Sequence, residues 1–159
     1  MYDINEIYKM LNWQSKFDDQ LKGIEFARNL DDLSPLILHC AKRESNGIWE
    51  NCAKALYGIS DDRLEKYLPS LLEWLQDLNW PGALIILDRL KFFSGEKLKK
   101  PFMDRFAYAN KLSNEEGLMW LDSLSELLDN EELKAVLPKP IIKKLEKHYK
   151  NCGFWYNDD

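Results

Sequence analysis

Trp49, Cys52, Ala53 and Leu56 recur at i, i+3, i+4 and i+7, the spacing of one apolar stripe along a helix. Thirty-four residues later Ala83, Ile86, Leu87 and Leu90 repeat that stripe. The same offset pairs Pro35 with Pro69, Ile37 with Leu71 and Leu38 with Leu72. The pattern predicts two copies of a helix–turn–helix unit, within the period range of helical solenoids.

The junction inside the second copy, residues 77–82, reads Asp-Leu-Asn-Trp-Pro-Gly. Asp77 and Asn79 carry short acceptor side chains suited to holding turn N–H groups or capping the next helix. Pro81 is expected in the first turn of that helix, where a missing N–H costs nothing. Trp80 is expected to fill the gap between the two helices. These four residues form the expected structural turn of the repeat, and the preceding helix is expected to end at Gln76 or Asp77. Leu11-Asn12-Trp13 repeats the Leu-Asn-Trp of residues 78–80 ahead of another helical stretch, residues 14–29.

Beyond residue 93 the copies lose their likeness, but helical spacing continues. Ser94-Gly95 reads as a helix stop. Residues 96–111 form a further helix with Pro101 in its first half and Phe102, Phe106 and Ala109 on its apolar face. Ser113 followed by Glu116 fits a capping box, and Leu118, Leu121, Leu124 and Leu128 give the next stripe. Residues 131–150 supply the last helix or pair, divided at Pro138 and Pro140. The expectation is one all-α domain over residues 1–159, ending in an aromatic and acidic tail, 153–159.

The stretch YLPSLLEWLQDLNWPGALIILDRL resembles a HEAT repeat: proline and leucines in a first helix, an Asp in the turn, an apolar second helix. It departs from the usual Val-Arg pair early in the second helix, where this chain has Ala83 and Leu84. More narrowly, ENCAKAL, YLPSLLEWLQDLNWPGA and RL together resemble a small bacterial HEAT-like family of unknown function, most closely over residues 48–92. The resemblance implies a compact right-handed stack of antiparallel helix pairs and no established activity.

Composition narrows the function classes. The 159 residues carry a net charge of −5, which weighs against a nucleic-acid partner because such proteins present a basic face. Cys40, Cys52 and Cys152 are an odd number without CxxC spacing, expected as reduced thiols in a cytoplasmic protein. The N-terminus lacks the pattern of a signal peptide, and no apolar run reaches the ~18 residues of a membrane span.

The sequence offers little for catalysis. His39 and His148 are the only histidines and neither has a ligand-spaced neighbour, so both are expected to be structural, with no metal and no cofactor. No nucleophile elbow, phosphate-binding loop or dinucleotide fingerprint is present. The acidic pairs Asp18-Asp19, Asp31-Asp32, Asp61-Asp62, Glu115-Glu116 and Glu131-Glu132 fall mostly at expected helix starts, where the helix dipole favours negative charge. They also form an acidic surface able to draw a basic partner. Trp13, Trp49, Trp74, Trp80 and Trp120 are expected to fill the core, whereas Trp155 and Tyr156 lie in the tail and either fold back or meet a partner.

One helix is irregular. Ala83 to Leu87 leave its first half without a polar face, so it is buried on all sides or displays an apolar patch. Central position in the chain favours burial. If exposed, Leu84, Ile85, Asp88 and Lys91 form a contact strip.

The leading functional expectation is a non-catalytic helical-repeat protein that binds another protein, in its most concrete form an immunity or antitoxin-type inhibitor of a basic toxin. Two alternatives stand beside it. One is a HEAT-like DNA glycosylase-type enzyme using Asp77, Trp74, Trp80 and Arg89, opposed by the acidic balance. The other is a structural subunit that self-associates through the apolar strip.

Overall fold

A computed structural model of the chain describes residues 2–37 and 46–151. Every regular element among them is helical. In chain order they are α1 (Ile4–Leu11), α2 (Phe17–Arg28), α3 (Trp49–Tyr57), α4 (Asp61–Leu64), α5 (Leu68–Trp74), α6 (Ala83–Leu90), α7 (Gly95–Leu112), α8 (Glu115–Ser125), α9 (Glu131–Val136) and α10 (Lys139–Asn151), with short 3₁₀ turns between some of them.

The helices pack in two rows. In the first, α2, α3 and α6 lie side by side. Asn51 Nδ2 donates to Gln20 Oε1 at 2.9 Å near the start of α2 and α3, while Arg28 at the end of α2 donates to the Lys54 carbonyl at 3.0 Å. The two helices therefore run in the same direction. In the second row α5 packs on α7 and α7 on α9. Lys97 meets Asp62 and Glu65 near the start of this row, and Arg105 meets Glu73 at 2.7 Å further along it. The apolar stripes face inward between the rows: Cys52, Ala53, Leu56, Ala83, Ile86, Leu87 and Leu90 are all buried in one continuous core. Burial pushes the Cys52 thiol up to about 12, so it stays protonated and inert at neutral pH.

Helix C-termini carry unsatisfied carbonyls and partial negative charge, and long polar side chains from neighbouring units cover them. Arg63 donates to the carbonyls of Arg28 and Leu30 beyond α2, at 2.8 and 2.5 Å. Arg28 covers the end of α3 through Lys54 and Ala55. Asn130 donates to Leu90 and Phe93 beyond α6, at 2.8 and 2.9 Å, and its own side chain caps α9 by accepting from the Leu133 N–H. These contacts tie units about thirty residues apart.

Several boundaries differ from the expectation. Helix α5 ends at Trp74, earlier than Gln76. Pro81 lies in the turn rather than in the first turn of α6, because Gly82, with φ +82°, is the N-cap. A Cβ at Gly82 would sit 2.6 Å from that of Ala53, so the close approach of α3 requires glycine as well. Ser94 starts a helix rather than stopping one: it is the N-cap of α7 and accepts from the Lys97 N–H. Gly95 follows because the backbone of Glu132 passes within 2.3 Å of where a Cβ would stand. Ser113 is not a capping box; it takes the left-handed C-cap of α7 with φ 47°, and the adjacent Asn114 caps α8 by accepting from Gly117.

Other expectations hold. The helix at residues 96–111 is α7, and the last segment divides at Pro138 into α9 and α10. Four of the five acidic pairs occupy first turns; Asp31-Asp32 instead precedes a 3₁₀ turn.

Candidate partner-binding surface

Helix α6 positions the strip singled out from the sequence. Its inner stripe fixes the rotation, which leaves Leu84 and Asp88, four residues apart, on the outer face. Leu84 is 59% exposed, and the expectation that this apolar run is buried on every side is corrected there. Ile85 points partly inward and packs against the core. Lys91 turns aside to Asp129, at 3.2 Å. Phe92, absent from the sequence-based strip, lies in the turn that follows α6 and is also 59% exposed. Tyr57, at the end of α3, meets it edge to face with ring centroids 5.6 Å apart.

Beneath the strip a buried arginine pairs with a partly exposed aspartate. Arg89, 4% exposed, donates from Nη2 to Asp61 Oδ1 at 2.6 Å and to the Ile59 carbonyl at 2.8 Å. Asp61 also accepts from the Ser94 N–H at 2.9 Å, which joins the ends of α3, α4 and α6. The Arg89 guanidinium lies 4.8 Å from the Phe92 ring centroid and 5.2 Å from that of Phe93. Its planar charge thus supports Phe92 from beneath through cation–π attraction. A period-based reading gives no signal for a buried arginine on an otherwise apolar stripe.

The remaining candidate residues are used within the fold. Asp77 Oδ1 accepts from the Asn79 N–H at 2.8 Å, the turn expected of it. Trp80 is half-buried against the core and lies edge-on to Trp49, centroids 6.3 Å apart. Trp74 is fully buried and donates to the Pro81 carbonyl at 3.0 Å. Trp74 and Arg89 of the glycosylase-type set are therefore closed off from a substrate, while Asp77 shapes a turn. Trp13 corrects the core-filling expectation: it is 66% exposed, and Phe17 and Leu21 on α2 are exposed with it.

His148 Nδ1 lies 2.6 Å from Asp122 Oδ1, a contact between α10 and α8. No cluster of three metal-ligating side chains occurs among the described residues. His39, Cys40 and Leu38, and Cys152, Trp155 and Tyr156 with the tail 153–159, lie outside the described residues. Among the described residues no helix is long and apolar enough to cross a membrane.

Charged and polar groups also gather around Asp32 and Asp62. Tyr67 donates to Asp32 Oδ1 at 2.8 Å while its hydroxyl accepts from the Leu33 N–H. The Ser34 hydroxyl and N–H also donate to Asp32, and these bonds, with that from Tyr67, hold its carboxyl down at about 2. Lys97 keeps Asp62 below the usual carboxylate range. A shallow hollow of about 410 Å³ beside them is lined by Asp31, Leu33, Asp62, Arg63, Glu65 and Lys66. Arg63 is committed to the Arg28 and Leu30 carbonyls, and Asp62 and Glu65 to Lys97.

No curated protein and no solved structure matches the chain. A family model described as a domain of unknown function (DUF5071) matches residues 50–146, from α3 into α10.

Proposed function

The chain belongs to that DUF5071 family, whose description assigns no activity, and from this premise we propose that it is a non-catalytic helical-repeat protein of the HEAT-like type that binds another protein. The observation that carries the proposal is the surface of α6 and the turn after it, where Leu84 stays exposed on the helix and Phe92 stays exposed against Tyr57. Large apolar side chains exposed together are a feature of interaction sites, whereas single exposed ones need no explanation. The most concrete form is an immunity or antitoxin-type protein of the cytoplasm whose net charge of −5 speeds encounter with a basic toxin.

The test is co-expression with the products of neighbouring genes. One partner is expected to co-purify at fixed stoichiometry with the unaltered chain and with Lys54→Ala, and to be lost with Leu84→Glu. Absence of any stoichiometric partner, or retention by Leu84→Glu, contradicts the proposal.

A further inference from the structure

Leu84 and Asp88 stand one turn apart on the outer face of α6, and Phe92 follows, exposed, in the turn just beyond the helix end. Between Leu84 and Phe92 the chain presents a carboxylate. Asp88 is exposed, and no described residue pairs with it. Lys91, three residues on, is engaged with Asp129 at 3.2 Å, and Lys54, thirty-four residues before Asp88 on α3, with Glu50 at 3.0 Å. The strip is therefore apolar at both ends and negative in the middle.

That arrangement decides among occupants. A second copy, packed on the full strip about a two-fold axis, would set Asp88 against its own symmetry mate and bury two like charges. An extended peptide would lay backbone N–H and C=O groups on a helix surface that offers them no ladder. A helix satisfies its own backbone, and its four-residue ridges match those of α6.

We infer that the α6 strip receives an amphipathic helix of a different protein, bearing one Lys or Arg flanked by apolar residues four positions before and four after. The cation meets Asp88, and the flanking side chains pack on Leu84 and on the Phe92–Tyr57 pair. This inference rests on the protein-binding reading above and specifies the chemistry of its partner.

Two helix-stapled peptides test it, Leu-(Ala)₃-Arg-(Ala)₃-Leu and the same peptide with Glu in place of Arg. Each is titrated into the ¹⁵N-labelled full chain at low ionic strength. The Arg peptide is expected to shift amide signals of residues 84–92 and Tyr57, and to bind about tenfold or more tightly than the Glu peptide. Asp88→Lys, an exposed position that leaves the core untouched, is expected to reverse the preference, and added salt to weaken both favoured pairings. Equal binding of the two peptides, shifts confined to another face, or no binding by either overturns the inference. So does concentration-dependent self-association that moves these same signals without peptide. If the peptides fail while Leu84→Glu still releases a co-purifying partner, the protein-binding reading stands and only the cationic helix falls.

Discussion

Helices α3 and α6 pack side by side, and their sequences, aligned at an offset of thirty-four residues, agree inside but differ outside. Cys52, Ala53 and Leu56 correspond to Ile86, Leu87 and Leu90, and all six are buried. On the outer face, Glu50 and Lys54 of α3 form an i, i+4 ion pair, an ordinary solvated surface. The same positions of α6 hold Leu84 and Asp88, exposed and without that pairing. The N-caps differ too: Ile48 is right-handed, whereas Gly82 is left-handed against Ala53 and Trp49. Packing holds the inner positions alike in both copies. It places no such demand on the outer ones, which is why the outer face of α6, and not that of α3, is the proposed binding surface.

The largest effects should fall on the shared interior. Leu56→Ala and Leu90→Ala each remove a fully buried side chain and are expected to cost about 2–5 kcal/mol in urea unfolding. A small cost at only one of them would break the equivalence of the copies. Arg89 separates them next, since Ala55 holds the matching buried position in α3. Arg89→Ala is expected to cost about 2–4 kcal/mol, below the full penalty for orphaning a buried charge because Asp61 reaches water. Gly82→Ala combines positive φ with a 2.6 Å clash and should cost about 1–3 kcal/mol, measured by the same unfolding curves.

A smaller effect concerns Asp32. The Asp32 carboxyl is lowered from 3.8 to about 2, so its hydrogen bonds stabilise the fold above the unfolded value, and that contribution disappears as pH falls through 3.8 toward 2. Asp32→Asn should flatten this part of the acid-unfolding profile and lower stability at neutral pH to the level the unaltered chain reaches in acid. The smallest effect is at the outer face: Leu84→Gln should alter stability by no more than about 0.5 kcal/mol while weakening partner binding. A large loss of stability there would make Leu84 part of the core rather than a surface.

The sequence makes the interior legible because burial of a helix stripe imposes a period, and both stripes lie where that period places them. Negative pairs at helix starts are equally readable, since the dipole acts over a single turn. Cap identity is not: Ser113 and Asn114 both offer an acceptor, and only the left-handed turn at Ser113 settles which one serves. Ser94 precedes a glycine and so resembles a stop, although Gly95 answers to a close pass by Glu132 from a distant unit. Nor is the outer face legible. An apolar run such as Ala83 to Leu87 has the same pattern whether or not a neighbour covers its far side. Phe92 emerges as its continuation only once the turn after α6 and the support from Arg89 are in place.

The most direct measurement is a hydrogen-exchange footprint of the co-purifying partner on the full chain. The account predicts slowed exchange over residues 84–92 and at the end of α3 near Tyr57, with the exposed Phe17–Leu21 face of α2 unchanged. Protection confined to α2, or to any surface that leaves 84–92 unaffected, contradicts the assignment of function to the outer face of α6.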